Sequence, residues 1–376
     1  MVKVIKIAFI SFEYSSETSG GGIGKYIHLM SDFLAENGFY IEIFCGTSGK
    51  SHGVNQGKNL RINYIRSNNW NFKFKVIRTF RYRNRSVSFN KMESVEYLAD
   101  SLLIQILFPK LYSIIKLHTP KFLINELTGK KQGFSKSFKF LDPEYWSCKL
   151  ANELISPSES LAEIVKTKWF TQEREIQVIR NIYTPVKSGD KLEKRNIITF
   201  IGRMEERKGI YEYVEALKLC IEDLSEFELR FIGKAPVLND SKLTFNDYFL
   251  NEFKENTVKI NFTGFLTGDA LFNAIAESRI CVFPSRWENY PYVCLEAMNM
   301  SCAIIGSAWG GIKEILEQSK GGIIIDPFDT KDFSNALRLL AKDSLFVEKL
   351  SNNNHNYIHN YYPFLNQQIL EFYKRS

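Results

Sequence analysis

Much of what would mark this sequence as secreted, membrane-spanning or metal-built is missing. Six cysteines occur in 376 residues (Cys45, Cys148, Cys220, Cys281, Cys294 and Cys302), and no two stand as C-x-x-C. That spacing argues against a zinc or disulfide set, and several sit in apolar runs, as small core residues of a reducing compartment do. No apolar run approaches the roughly 20 residues of a membrane span. The opening run IAFI is short and soon meets Glu13, so it reads as a first strand and not as a signal peptide. Low-complexity segments and sequence-level repeats are absent. The chain is expected to be cytoplasmic.

What is present is an ordinary soluble composition, 44% hydrophobic and 24% charged, in a chain long enough for two cores. The net charge of +7 is uneven. Residues 1–185 hold 26 Lys/Arg against 16 Asp/Glu, and residues 186–376 hold 23 against 26. A basic front half suggests that it meets something anionic.

The segment VKVIKIAFISF is strand-like, TSGGGIG is a glycine loop, Tyr26–Asn37 has apolar residues at helical spacing, and FYIEIFC resumes as a strand. This is a βαβ unit. Thr184–Asn196 (TPVKSGDKLEKRN) is polar and reads as a linker. The pattern then restarts with IITFIG, the helix GIYEYVEALKLCI and the strand FELRFIG. VKINFTGF, RICVFPS, CAIIGS and GGIIID follow as short strands, and DFSNALRLLAKD and LNQQILEFYKRS as helices. Two α/β units joined by a linker fit better than one large sheet.

Three strand-to-helix turns carry candidate chemistry. GGGIGKY fails as a P-loop, because Ser19 and Tyr26 stand where Gly and Ser/Thr belong. It also fails as a dinucleotide fingerprint, because Lys25 replaces a glycine. Glycines at such a turn still let an anion approach a helix N-terminus, although a ligand-free tight turn explains them equally. In GRMEERKG, Arg203 and Lys208 suit a diphosphate, or are simply two solvated cations. In WENYPYVCLEAM, Pro291 suits a first helical turn, so a helix should begin near Asn289–Pro291. Glu288 then lies on the approach loop and Glu296 inside the helix, with the amides of Tyr292 and Val293 between them. By itself this motif is read more readily as an exposed loop acid and a solvated helix acid than as a ligand clamp.

Together these stretches resemble the family 4 retaining glycosyltransferases of the GT-B fold. GGIGKY resembles that family's N-terminal glycine loop, GRMEERKG its Arg/Lys donor motif and PSRWENYPYVCLEAM its E-x7-E element. SAWGGIKEIL is similar to the stretch after it, and VIRNIYTP to the entrance of the inter-domain linker. The resemblance is strongest over residues 197–326 and weak over 60–145. It implies two Rossmann-like α/β/α domains facing each other across a cleft. Residues 1–184 would form the acceptor domain, with the C-terminal helix 357–376 packing back on it, and 185–356 the nucleotide-sugar donor domain.

It further implies that Arg203 and Lys208 bind the donor diphosphate, Glu296 the ribose hydroxyls and Glu288 the donor sugar. Asn289, Tyr290, Pro291 and the amides of Tyr292 and Val293 would meet the donor, and Gly21 and Gly22 would close over its phosphates. Phe265 and Leu266 would neighbour the nucleobase. His118, after the run LYSIIKL, would touch the donor sugar, where a structural histidine is the plain alternative. The catalytic set is therefore His118, Glu288, Arg203 and Lys208. With no Asp-x-Asp triplet, no metal and no cofactor is expected beyond the nucleotide diphosphate sugar, a UDP- or GDP-sugar. The product would be a glycosylated saccharide or lipid-linked saccharide of surface polysaccharide or glycoconjugate synthesis. A nucleotide-sugar-binding protein without transferase activity, an epimerase or a phosphorylase is the alternative. Asn181–Ile182, where the family often has Asn-Gly, and NMSCA (Asn299–Ala303) depart from the family pattern.

Asn68–Met92 holds seven basic residues and no acid, interleaved with aromatics. An anionic membrane surface fits this better than nucleic acid, and would make the protein peripheral at the inner face of the cell membrane. A basic helix with a core face is the ordinary alternative.

Overall fold

The computed structural model describes residues 4–14, 21–129, 139–171, 173–186, 193–237 and 243–375. Part of the glycine loop before Gly21 and residues 187–192 of the expected linker lie outside these. The chain divides into two compact units, Met1–Ile182 with Leu365–Ser376, and Tyr183–Phe364.

The first unit holds β1 (Lys6–Ile10), β2 (Tyr40–Thr47), β3 (His52–Gln56), β4 (Leu60–Arg66), β5 (Lys91–Val95), β6 (Tyr112–Lys116), β7 (Glu153–Ser156) and β8 (Gln177–Val178). They form one sheet in the order β3-β4-β2-β1-β5-β6-β7-β8. Only β3, paired with β4, runs antiparallel among the described strands. Strands such as β2 are buried almost throughout, which is why they read as continuous apolar runs without alternation. Glu42 interrupts that run, and it is buried only because Arg83, Asn63 and Tyr40 all donate to it.

The second unit holds β9 (Arg195–Ile201), β10 (Glu228–Ile232), β11 (Lys259–Gly264), β12 (Ser278–Phe283), β13 (Ala303–Ser307) and β14 (Gly322–Ile325). Their order is β11-β10-β9-β12-β13-β14, with every adjacent pair parallel. Phe231 centres the core, with ring centroids 4.7 Å from Phe249 and 4.9 Å from Phe262. Edge and stacked ring contacts such as these fill the space between sheet and helices.

Three local expectations are corrected. The first helix spans Gly22–Glu36 rather than starting at Tyr26, because Gly22 and Gly24 take up helical geometry and Gly21 becomes its extended N-cap. The helix after the WENYP stretch spans Tyr292–Asn299, with Pro291 as an extended N-cap (φ −75°, ψ 126°) rather than in its first turn. The segment that joins the first unit begins at Leu365 rather than 357, since Tyr357 is held within the second unit by its hydroxyl bond to Gln318. From Leu365 onward the anchor is Tyr373, whose hydroxyl donates to buried Glu93 and whose carbonyl accepts from Lys91 at 3.0 Å.

The basic segment is the helix Phe72–Val87. Its core face is Phe72, Val76, Phe80 and Val87, and Arg83 is drawn inward onto Glu42. Its outward face keeps Phe74 and Tyr82 exposed beside Arg78, Arg81 and Arg85. No helix among the described residues is long and apolar enough to cross a membrane.

Candidate functional site

In the second sheet the chain runs outward from β9 through β10 to β11, then returns to the other side of β9 with β12, β13 and β14. The connection therefore reverses between β9 and β12, and the loops at their carboxyl ends flank the crevice where open parallel sheets hold ligands. Those two loops are Gly202–Gly209 and Pro284–Pro291. They carry Arg203, Lys208, Glu288 and the start of the helix Tyr292–Asn299.

The first loop closes in a single 3-10 turn, Glu206–Lys208, ended by Gly209 in the left-handed region at φ +70°. A Cβ at Gly209 would lie 1.9 Å from the Pro284 carbonyl oxygen, so a glycine here lets the two loops touch. Across that contact the Lys208 ammonium donates to Glu288 Oε1, which also accepts from Ser285 Oγ at 3.2 Å. The Lys208 and Glu288 side chains keep only 20% and 16% of their surface exposed. Burial opposes the charge on Glu288, but Lys208 and then Arg207 outweigh it and hold the carboxyl below its usual range. Arg286 pins the loops from the side through Glu212 and Glu206. The Glu288 carbonyl accepts from Gly311 at 2.7 Å, and Gly310, at φ +78°, bridges to Glu288.

Lys208 and Glu288 are thus brought into direct contact. Arg203 is more open, 64% exposed, and meets Glu205 at 3.1 Å. Asn289 accepts from the Trp287 indole at 2.7 Å. Tyr290 is buried with its hydroxyl 3.4 Å from that of Tyr357, so its backbone is what it can offer a ligand. Tyr292 is buried too, and Val293 is half-buried beside it in the first helical turn, where N–H groups have no intrahelical acceptor. Glu296 lies one turn deeper, 4% exposed, and its charge adds to burial in raising the pKa of Tyr183 and Tyr292. Phe265 and Leu266 follow β11 at the same edge of the sheet, Phe265 being 59% exposed with the Lys234 ammonium 5.4 Å from its ring. Ser285, Arg207, Arg286 and Gly310 did not stand out in the sequence. Their signal was proximity in the chain to PSRWEN and KG, without any marker of what they contact.

Gly21, Gly22 and His118 belong to the first unit. His118 follows β6 by two residues, its backbone N–H donating to Glu96 Oε2 at 2.8 Å and its ring 5.1 Å edge-on from Tyr26. Burial, reinforced by Lys116, pushes its pKa down to about 3, so the imidazole is neutral at physiological pH. Nε2 is buried and has no hydrogen-bond partner among the described residues. Such a histidine can give or take one hydrogen bond, but it cannot serve as a cationic acid. Its neighbour Glu96 is pushed up to about 8, chiefly by burial and then by Glu144. A raised carboxyl pKa stabilises the fold fully below about 4.5 and loses that contribution as the pH rises toward 8. Glu96→Gln should therefore flatten the fall of melting temperature between pH 5 and pH 8. An unchanged slope in differential scanning calorimetry would contradict the burial assigned to Glu96.

Among the described residues, no group of three or more His, Cys, Asp and Glu could hold a metal ion.

Residues 185–357, within the second unit, match the family model described as Glycosyl transferases group 1. The alpha-D-kanosaminyltransferase of Streptomyces kanamyceticus is 25% identical over 162 residues, covering 43% of this chain and 40% of the relative. A UDP-Gal:alpha-D-GlcNAc-diphosphoundecaprenol alpha-1,3-galactosyltransferase of Escherichia coli is 25% identical over 231 residues, covering 57% of each. The chain thus spans about half the length of such relatives. Among solved structures, sucrose-phosphate synthase from Thermosynechococcus elongatus superposes with a TM-score of 0.76 at 16% identity, covering 99% of this chain and 98% of that one. WaaG, titled a glycosyltransferase involved in lipopolysaccharide biosynthesis, gives 0.69 at 14%, covering 98% and 100%. The fold is GT-B, two α/β units built on parallel, Rossmann-like sheets.

Proposed function

We propose that this chain is a retaining, metal-independent glycosyltransferase. It would move a hexosyl or N-acetylhexosaminyl group from a UDP- or GDP-sugar to a saccharide or lipid-linked saccharide in surface polysaccharide or glycoconjugate synthesis. The observation that carries the reading is the Lys208–Glu288 pair between the two loops at the chain-reversal point, inside the segment matched to group 1 glycosyltransferases. Two relatives whose names specify undecaprenyl diphosphate-linked saccharide substrates support the acceptor class.

In this reading the donor diphosphate lies against Arg203, Lys208 and the Tyr292 and Val293 amides. Those groups would neutralise the charge that develops on the leaving diphosphate. Glu296 takes the ribose hydroxyls, Phe265 and Leu266 flank the base, and Gly21 and Gly22 cover the phosphates. Glu288, held by Lys208 and Ser285 through one oxygen, presents its other oxygen to the donor sugar, with Asn289 beside it. His118 gives a neutral hydrogen bond to the sugar. The bond from the anomeric carbon to the diphosphate breaks, and the acceptor oxygen bonds to that carbon on the same face. Its proton passes to a phosphate oxygen of the departing diphosphate. The outward face of the helix Phe72–Val87 would lie on an anionic membrane.

The test is incubation of the full chain with nucleotide sugars and free or lipid-linked saccharides, with products read by mass spectrometry and NMR. A new glycoside of retained anomeric configuration, formed at an unchanged rate in EDTA, is the expected result. Free sugar, a 2- or 4-epimer, or an inverted product would overturn the assignment, and loss of rate in EDTA would overturn metal independence.

A further inference from the structure

A cavity of about 810 Å³ opens in the first unit, within the size range of small-ligand sites. It is not built from the residues assigned to the donor, although Trp70 and Lys73 belong to the basic segment Asn68–Met92. Four lysines line it (Lys73, Lys121, Lys139 and Lys168) against two carboxylates, Asp142 and Glu144. Both carboxylates are already engaged. Asp142 Oδ1 accepts from the Glu144 amide at 2.9 Å. Glu144 is buried and accepts from the amides of Leu98 at 3.0 Å and Lys121 at 2.8 Å.

That double acceptance ties together three separate segments, the turn after β5, the start of the helix Lys121–Leu127 and the start of the helix Pro143–Leu150. It also holds Leu98 and Ala99 in left-handed backbone, at φ 61° and 52°, a conformation that costs energy in residues with side chains. The wall is therefore fixed before any ligand arrives. Lys139 and Lys168 are spoken for, by the Trp169 carbonyl at 2.6 Å and by Glu126 at 2.9 Å. Lys73 and Lys121 have no such hydrogen-bonded partner among the described residues. Lys121 feels the carboxylates Asp142 and Glu144, and Lys73 that of Asp100. The four lysines still outnumber the two acids of the lining.

Apart from Asn69, Asn125 and Tyr97, the rest of the lining is apolar and graded outward. Trp169, 2% exposed, lies deep and meets Phe122 edge-on at 5.1 Å. Trp70, Phe140 and Leu141 stand at the rim, 84%, 54% and 70% exposed. A neutral saccharide would leave the lining's surplus of positive charge unmatched, and inorganic phosphate would leave the rim in water. One ligand satisfies both.

We propose that this cavity binds an amphiphilic anion, a phosphate or diphosphate joined to an apolar chain. The phosphate oxygens lie at Lys73 and Lys121, and the chain leaves across Trp70, Phe140 and Leu141. If the transferase reading holds, this is the carrier end of the acceptor, and the name acceptor rests on that reading. The binding itself does not.

The test is isothermal titration of the full chain with geranyl diphosphate. One saturable site that persists in Lys208→Ala is expected, apart from any diphosphate binding at Arg203 and Lys208 of the second unit. Affinity should fall about tenfold or more in the Lys73→Ala/Lys121→Ala variant, from loss of charge-assisted bonds. Trp70→Ala, at a side chain too exposed to support the fold, should weaken binding severalfold, and Lys208→Ala should leave it unchanged. Inorganic diphosphate and octyl glucoside, each carrying half of the chemistry, should bind at least about tenfold more weakly.

Equal affinity for inorganic diphosphate would overturn the proposal, since the apolar rim would then contribute nothing. Binding lost in Lys208→Ala and kept in the double lysine variant would place the ligand at the other unit and overturn it as well. If the double variant loses co-sedimentation with phosphatidylcholine–phosphatidylglycerol vesicles while geranyl diphosphate binds to neither form, the lysines serve a bilayer surface and the pocket is refuted. Geranyl diphosphate binding that persists in a protein inactive toward every donor would support the cavity and remove the transferase reading alone.

Discussion

Lys208→Ala is expected to lower kcat by about 10²–10³-fold in a donor-turnover assay, the usual cost of one preorganised donor at a developing anion. The lysine acts twice in the proposed reaction. It neutralises the diphosphate, and it keeps the Glu288 carboxylate ionised and in place. Removing it strands a mostly buried carboxylate that retains Ser285, with Arg207 nearby, so a stability loss on the order of 1–3 kcal/mol accompanies the kinetic effect.

Arg203→Ala separates the two contributions. Its guanidinium is 64% exposed and meets Glu205, so turnover should fall while the melting temperature stays put. Near-wild-type kcat in either variant would sink the diphosphate assignment. The pH dependence offers an independent check. Because Lys208 holds Glu288 below its usual range, the pair stabilises the protein above about pH 4.5, and that contribution is lost as the pH falls through the lower folded value. In Lys208→Ala the folded value rises toward or past the unfolded one, so this acid-side loss should shrink or vanish.

Gly310→Ala should be strongly damaging to the second unit's site. Gly310 sits at φ +78°, ψ −153°, a region open essentially to glycine alone, and an added Cβ would lie 2.2 Å from the Glu288 carbonyl oxygen. Neither backbone can yield cheaply, since Gly311 N–H is already bonded to that oxygen at 2.7 Å. A cost on the order of 3 kcal/mol is expected, lowering the melting temperature by about 6–12 °C. Because Glu288 is the residue displaced, the variant should also lose the rise in melting temperature that the proposed donor, a nucleotide sugar, is expected to give the wild type. A melting temperature within about two degrees of wild type would show that the loops are looser than this packing requires.

Much of the architecture could be read in advance because buried parallel strands write themselves as short apolar runs. IITFIG, FELRFIG and RICVFPS became β9, β10 and β12 with little adjustment. The first helix started earlier than its apolar spacing suggested because glycines give no periodic signal, so Gly22 and Gly24 read as loop. The basic segment was ambiguous for a related reason. Helical spacing identified a face but could not show that Arg83 turns inward to Glu42, a residue 41 positions away. At the candidate site, strand-to-helix turns located Lys208 and Glu288 individually. Their contact spans 80 residues and depends on β12 lying next to β9, which no local pattern encodes. The lysine-lined cavity was invisible for the same cause. Its walls come from Trp70, Lys121 and Phe140, on segments that share no motif.

The return of residues 365–376 to the first unit has a consequence for how the chain is made. Glu93 is buried with the hydroxyls of Tyr26 and Tyr373 as its donors, and Lys91 lends its ammonium to the carbonyls of Tyr373 and Arg375. During synthesis the first 182 residues emerge without that last helix, and the whole of the second unit must follow before it appears. At about 5–20 residues per second the delay is on the order of ten to forty seconds. Through that interval β5 presents an acid and a lysine with their closing partners missing, while the contiguous second unit can finish without waiting. The half of the molecule that is translated first is therefore completed last.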